Sequence, residues 1–138
     1  MSHIRLLSAA VVALALAAPA AAAEAPTTSE YTACMDASGG VHPDMMDCIA
    51  AETERWDAVL NQSYKKLAGA LDDPAKAALK DAQRKWIAYR DAECNLAYMA
   101  AGGDEGGQMA PLAANDCMMS LTAIRASELT AYLAAAGQ

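Results

Sequence analysis

Apolar residues recur at helical spacing in three segments, from about Asp44 to Leu71, about Pro74 to Ala101 and about Pro111 to Ala135. Most of the spacings between them are three, four, seven or eight residues, which places most of them on one face of an α-helix. The stripes are Ile49, Trp56, Leu60, Leu67 and Leu71 in the first; Leu79, Ala82, Trp86, Tyr89 and Ala97 in the second; and Leu121, Ile124, Leu129 and Tyr132 in the third. Because alternation at period two is missing over any useful length, the pattern predicts an all-α protein.

Breaks in the pattern set the helix ends. We predict that Asp73 caps the second helix while Pro74 occupies its first turn, where a missing N–H costs nothing. The run GGDEGG, residues 102–107, has too much backbone freedom to continue that helix. Short links favour antiparallel neighbours, so we predict an up-down-up three-helix bundle over residues 44–138, preceded by an extended leader, residues 24–43, that carries the first cysteine.

The first 23 residues have the order of a secretory signal peptide. Arg5 precedes an apolar run, and small residues close the segment at Ala21, Ala22 and Ala23. The run is shorter than the roughly 20 apolar residues needed to cross a bilayer, and no later segment is long enough. No cysteine stands near the cut for lipid attachment. We therefore expect cleavage near Ala23 and a periplasmic or secreted product without stable membrane insertion.

Cleavage would leave nine basic and 17 acidic residues, a formal charge of −8. Such a charge disfavours nucleic acid and anionic membranes as partners, and it favours encounter with cationic ones. The simpler interpretation is that the charge keeps an exported protein soluble.

Four cysteines, Cys34, Cys48, Cys94 and Cys117, follow the predicted signal peptide, and an even count in an exported chain predicts two disulfides. In an up-down-up bundle all four lie at the end that carries GGDEGG. Two pairings remain open, the sequential one and Cys48–Cys94 with Cys34–Cys117. Because C-x-x-C is missing and His42 is the only histidine left, we predict no metal site and no cofactor.

Five charged residues fall on the packing sides of the three predicted helices. They are Glu52, Arg90, Glu93, Arg125 and Glu128. A lone buried charge is costly, so these residues are expected to pair. We favour a structural ion network that sets helix register over a polar binding site between helices. The stretch AQRKWIAYRDAEC, Ala82 to Cys94, is accordingly predicted to lie mainly inside, with Trp86, Tyr89 and Arg90 as scaffold residues.

Catalytic constellations are missing from the sequence. His42 has no serine and acid at a readable spacing, and GGDEGG puts acids where a phosphate would have to sit, so we predict that the protein is not an enzyme. Methionine pairs, Met45-Met46 and Met118-Met119, flank two cysteines. Thioethers bind cuprous ion, but methionine also fills irregular gaps in cores, and the second interpretation is favoured.

One set of motifs resembles a known family. The set consists of Cys48; L-N-x-x-Y at Leu60, Asn61 and Tyr64; L-K-x-A-Q-R-x-W-I-x-Y-R-D-A-E-C from Leu79 to Cys94; and Cys117 followed by Thr122 and Arg125. From about Cys34 to Leu133 the chain resembles the LprI-type lysozyme-inhibitor family of small exported helical domains. The resemblance implies inhibition of lysozyme, or of a related basic cell-wall hydrolase, by protein–protein binding.

An acidic end held by two disulfides would fit such a partner, because opposite charge steers association and rigidity limits the entropy lost on binding. Asp104 and Glu105 in the glycine-rich loop are the principal predicted contacts, and Tyr31, His42 and Asp44 are further candidates. The alternative function is a periplasmic interaction or envelope-stress module with a different protein or glycan partner.

Overall fold

The structure, a computed structural model, describes residues 24–137. The predicted signal peptide, residues 1–23, lies outside the described residues. The elements are α1 (Ser29–Ser38), α2 (His42–Ala70), α3 (Asp73–Ala100), a 3-10 turn (Gly103–Glu105) and α4 (Ala110–Ala136). The described part contains no strand, and the predicted all-α class is confirmed.

The described chain has four helices rather than the predicted three, because the segment expected to be an extended leader contains α1. Thr28 begins this helix with a hydrogen bond from the Tyr31 amide to its side-chain oxygen at 3.1 Å, and Gly39 ends it in the left-handed conformation, with φ 57°. A ten-residue helix is marginal by itself, so its packing on α2 has to stabilise it. Its sequence, SEYTACMDAS, carries no apolar stripe that would have predicted it.

The cap of α3 also differs from the prediction. Asp72, not Asp73, is the capping residue, and its carboxylate accepts a hydrogen bond from the Ala75 amide at 2.9 Å. Asp73 lies in the first turn, beside Pro74. Asp72 has the extended backbone that lets an aspartate side chain reach the amide three residues ahead, which fixes the cap one residue earlier.

Helix α4 is the centre of the packing, with its most extensive contacts to α2 and a second interface with α3. Ser63 of α2 meets Thr130 of α4 at 2.9 Å, and Ile49, near the start of α2, packs near the start of α4. These contacts set α2 and α4 parallel, and a disulfide between the end of α3 and the early part of α4 sets α3 antiparallel to α4. Alanines such as Ala123 and Ala126, both almost fully buried, let α4 approach its neighbours closely.

Two apolar clusters divide the bundle along its length. The first consists of Leu60, Leu67, Leu79, Ala126 and Leu129, and the second of Ile49, Leu112 and Met119. We call residues 24–54 and 91–124 the disulfide end, which holds the second cluster. Residues 55–90 and 125–137 form the turn end, which holds the first.

Helix α3 is far more exposed than the sequence indicated. Only Leu79 and Cys94 are buried, whereas Trp86 is half-buried and Tyr89 is 54% exposed. The prediction that residues 82–94 lie mainly inside is therefore wrong. The physical reason is that α3 packs chiefly on α4 and makes little close contact with α2, so one face alone is covered. No helix of residues 24–137 combines the length and the apolar character that a bilayer span requires.

Candidate functional site

Two disulfides tie the helices together at one end of the bundle. Cys34–Cys48 joins α1 to α2, with 5.7 Å between the Cα atoms, and Cys94–Cys117 joins α3 to α4, with 5.4 Å. The structure thus has the sequential pairing of the two that the sequence left open. The backbone of this end is covalently held on both sides.

The loop between α3 and α4 is closed by its own hydrogen bonds. The Gly107 amide donates to the Gly102 carbonyl at 2.8 Å, and the Tyr98 hydroxyl donates to the Gly103 carbonyl at 3.3 Å. Gly102 takes a positive φ of 81°, which a glycine adopts without steric cost. The side chains of Asp104 and Glu105 are exposed on the 3-10 turn. The loop therefore presents two carboxylates from an ordered backbone.

Charge is distributed unevenly along the molecule, with Arg55 and Arg90 at the boundary paired to Glu52 and Asp91 across it. The disulfide end contains twelve acidic residues and no lysine or arginine, whereas the turn end contains five acidic and nine basic residues. The acidic residues of the disulfide end are Glu24, Glu30, Asp36, Asp44, Asp47, Glu52, Glu54, Asp91, Glu93, Asp104, Glu105 and Asp116. An unbalanced set of this size produces a negative potential that attracts cationic surfaces and raises their association rate.

A groove lined by methionines lies on the same end. Met35 from α1, Met45 from α2 and Met109, just before α4, line a cavity of about 200 Å³ together with Ile49, Leu112, Ala113 and Asp116. Met109 is 57% exposed, so the groove opens to solvent beside the acidic loop. Methionine side chains are flexible and adapt to apolar groups of different shape. The arrangement is an apolar groove with one carboxylate, that of Asp116, in its lining.

The two residues of each methionine pair lie in different surroundings. Met45 lines the groove, Met46 packs against the apolar cluster, Met119 is part of that cluster, and Met118 borders a separate depression between α3 and α4. Among residues 24–137, histidine, cysteine and acidic side chains form no group of three or more suited to a metal ion.

Two titrating groups near the groove have perturbed pKa values. Loss of hydration raises the pKa of the Asp116 carboxyl. Burial raises the pKa of the Tyr31 hydroxyl, and the charges of Asp116 and Glu52 raise it further. Tyr31 also packs against the apolar cluster of the disulfide end, so it joins α1 to the core beneath the groove.

The other predicted contact residues differ in accessibility. Asp44 is exposed in the first turn of α2 and lines a shallow depression with Asp47 beside the Cys34–Cys48 bridge. His42 is the first residue of α2 and is half-buried, and its Nε2 atom is buried without a hydrogen-bond partner in the described structure. Asp44 is thus as accessible as the loop carboxylates, whereas His42 is less so.

The five charged residues predicted to form one ion network lie in three separate places. Arg125, which is 8% exposed, donates to Gln83 at 3.0 Å and to Glu128 at 2.9 Å. Arg90 pairs with its neighbour Asp91 at 2.8 Å and stacks over the Trp86 ring at 5.0 Å, and Glu93 is exposed. Because α3 exposes most of its surface, its charges reach solvent instead of a shared interior.

Glu52 forms the third group and is fully buried. One carboxylate oxygen accepts hydrogen bonds from the Thr28 amide and the Trp56 indole, each at 2.8 Å. The other accepts from the Thr28 hydroxyl at 2.6 Å and from Arg55 at 3.2 Å. Burial alone would raise the pKa of Glu52, but these hydrogen bonds outweigh it and hold that pKa below its usual value. Glu52 therefore fastens the start of α1 to α2.

Sequence reasoning missed several residues of this end. Met35, Met109 and Asp116 were not singled out, although they meet in the groove, and Thr28 was read as part of an extended leader. The available signal was weak. Met109 follows the glycine-rich loop and Met35 follows the first cysteine, so only the expected clustering of these two segments at one end could have drawn attention to them.

Comparison with known proteins agrees with this architecture. The family model described as "Lysozyme inhibitor LprI" matches residues 34–129, which include all four cysteines, the glycine-rich loop and every residue that lines the groove. An uncharacterized protein of Rhizobium meliloti (strain 1021) is 36% identical over 99 residues, which cover 62% of this chain and 69% of the relative. No solved structure matches the chain. Because the family model matches more than half of its length, the chain belongs to the LprI lysozyme-inhibitor family.

Proposed function

We propose that the protein is an exported inhibitor of lysozyme that binds the enzyme through the disulfide end and catalyses no reaction itself. The observation that carries this proposal is the charge separation, with twelve acidic residues and no lysine or arginine at one end. Lysozymes of the animal type are basic proteins, so their surface complements this end and not the other. The description of the family names the same partner.

The geometry supports binding in two further ways. The carboxylates of Asp44, Asp104 and Glu105 are exposed at this end, and charges at the edge of an interface govern its association rate and salt dependence. The methionine groove offers an apolar surface at the same end, and buried apolar contacts usually supply most of an interface's binding energy. The ordered loop and the two disulfides leave little backbone entropy to lose on binding.

Export is part of the same proposal. Two disulfides indicate an oxidising compartment, and the N-terminal segment has the order of a signal peptide with its cleavage site near Ala23. The periplasm and the exterior of the cell are the places where a bacterial protein would meet a lysozyme.

The test is charge reversal at the loop. Asp104→Lys with Glu105→Lys is expected to weaken binding of a basic lysozyme by about tenfold or more at low salt, because each lost attraction contributes roughly 0.5–1 kcal/mol. Asp57→Lys with Asp73→Lys makes the same change of net charge at exposed positions of the turn end and serves as the matched control. Binding is measured by calorimetry, and melting temperatures are compared. Equal affinities of the two double variants would remove the loop from the interface.

A cell-wall clearing assay tests the function itself. Purified mature protein, added at low and high salt, should slow clearing by a basic lysozyme more strongly at low salt. If it inhibits no class of lysozyme, the alternative of an interaction or envelope-stress module with another protein or glycan partner replaces the proposal.

A further inference from the structure

Helix α3 carries an apolar stripe on the face that points away from the rest of the molecule. Tyr89, Leu96 and Met99 are 54%, 60% and 42% exposed, and Ala92 lies exposed between them. At 100° per residue these four positions fall within about 80° of one another. The buried residues Leu79 and Cys94 lie on the opposite side. Neither α2 nor α4 covers this stripe, so it is available to another molecule.

The charges of α3 change sign along the helix, from mainly basic in its first part to acidic in its last part. From Asp73 to Arg90 the helix has five basic and two acidic residues, and from Asp91 to the loop residue Glu105 there are four acidic residues and no basic one. Two copies of such a helix side by side attract each other when they are antiparallel and repel each other when they are parallel. The charge pattern therefore favours a second copy of this chain over a partner of uniform charge.

The spacing of the stripe is self-complementary in the antiparallel orientation. With a two-fold axis at the level of Cys94, Tyr89 of one copy lies opposite Met99 of the other, and the small Ala92 lies opposite Leu96. The same register places the Arg84–Lys85 pair just beyond the end of the second copy's α3, where its acidic loop begins. One arrangement thus pairs the apolar positions and directs the basic pair towards the acidic loop, as a self-complementary isologous contact requires.

We propose that the mature protein forms a two-fold homodimer through the exposed stripe of α3. Because the contact is small, the dimer dissociates on dilution. Because attraction between opposite charges contributes to the contact, added salt weakens it. The apolar contact is separate from the methionine groove, whereas the charged contact uses the acidic loop, so a lysozyme bound at that loop would compete with the dimer. The proposal does not depend on lysozyme being the partner of the disulfide end.

Sedimentation velocity of the mature protein across a range of concentrations tests the proposal. In low salt we expect a concentration-dependent shift from monomer to dimer, and in about 0.5 M salt a dimer dissociation constant higher by about tenfold. A protein that stays monomeric at every concentration up to the millimolar range would overturn the proposal. A dimer that is indifferent to salt would overturn the antiparallel arrangement.

Matched variants on α3 identify the surface. Leu96→Glu places a charge in the middle of the stripe and should abolish dimerisation, and Met99→Glu should do the same from a second position. Ile87→Glu is the control, because Ile87 is 41% exposed on the same helix but points to the opposite side from the stripe. Leu96 and Met99 lie on the exposed face of α3, so their variants should keep the circular dichroism and melting temperature of the wild type. Ile87 lies on the side of the buried Cys94, so its variant is compared at a temperature where circular dichroism shows it folded. Equal loss of the dimer in Ile87→Glu and Leu96→Glu would refute the stripe as the contact.

Discussion

Replacement of Glu52 by glutamine tests the role of the buried carboxylate. The carboxylate accepts four hydrogen bonds, from the Thr28 amide and hydroxyl, the Trp56 indole and Arg55. A glutamine oxygen can keep the two bonds to the Thr28 amide and Trp56. Its amino group then faces the Thr28 hydroxyl and Arg55, both of which donated to the original oxygen. The Thr28 hydroxyl can accept from this amino group instead, so the variant keeps a neutral hydrogen bond there but loses the negative charge that strengthened it and that attracted Arg55.

The size of the effect follows from these two losses. A charge-assisted hydrogen bond contributes about 1.5–3 kcal/mol, and the contact with Arg55 contributes little because that side chain is 46% exposed. We expect Glu52→Gln to lower the free energy of unfolding by about 2 kcal/mol, which corresponds to a drop in melting temperature of roughly 8 °C for a domain of this size. Glu52→Ala also leaves buried donors without partners and should cost about 4 kcal/mol.

The pH dependence gives a second readout. The folded pKa of Glu52 lies below its usual value of 4.5, so the unfolded chain binds the proton more tightly. The stability gained from the carboxylate is therefore complete above the unfolded pKa and is lost as the pH falls through the folded pKa. The difference between wild type and Glu52→Gln should be constant from pH 7 down to about 5 and should shrink below that.

Urea denaturation with both disulfides intact measures these differences, with Glu54→Gln as an exposed control on the same helix. Hydrogen exchange of the α1 amides should rise in Glu52→Gln, because α1 loses part of its attachment. A difference under about 0.5 kcal/mol at pH 7, or one that is the same at pH 3 and pH 7, would show that the hydrogen bonds of Glu52 do not stabilise the fold.

Two further predictions concern the disulfide end. Replacing both Cys94 and Cys117 by alanine opens a bridge between residues 23 apart and should cost about 3.5 kcal/mol by urea denaturation, whereas a loss under about 1 kcal/mol would contradict the entropic estimate. Gly107→Ala brings a Cβ atom within 2.5 Å of the Ala101 carbonyl oxygen, so the loop has to shift. It should weaken lysozyme binding although both loop carboxylates remain. Gly69→Ala, which meets nothing within 4 Å, is the control and should leave binding unchanged.

The long helices could be read from the sequence because their signals are local. Stripes at spacings of three, four and seven, a proline in the first turn of α3 and a glycine-rich stop predicted α2, α3 and α4 to within about two residues at each end. The cap of α3 was placed one residue late, because two adjacent aspartates offer the same local signal. The two disulfides could also be predicted, because an even number of cysteines in an exported chain is a property of composition and needs no knowledge of the packing.

Helix α1 could not be read in this way. Its stability comes from contacts with residues far along the chain, such as Thr28 with Glu52, 24 residues apart, and from the Cys34–Cys48 bridge. Without an apolar stripe of its own, the segment resembled a leader. The burial of α3 was overestimated because an apolar stripe shows which face is apolar and not whether a neighbouring helix covers it.

By itself the sequence determined the all-α class, the three long helices and the stock of acidic residues and cysteines, because periodicity, breakers and composition act over a few residues. The tertiary structure alone decided which cysteines pair and that the predicted ion network divides into three groups. It also decided that Tyr89 and Leu96 of α3 face solvent. It also brought two stretches without lysine or arginine, 37 residues apart at their nearest points in the sequence, together at one acidic end. These features depend on distances between residues that are remote in the chain, and only the packing of the helices sets such distances.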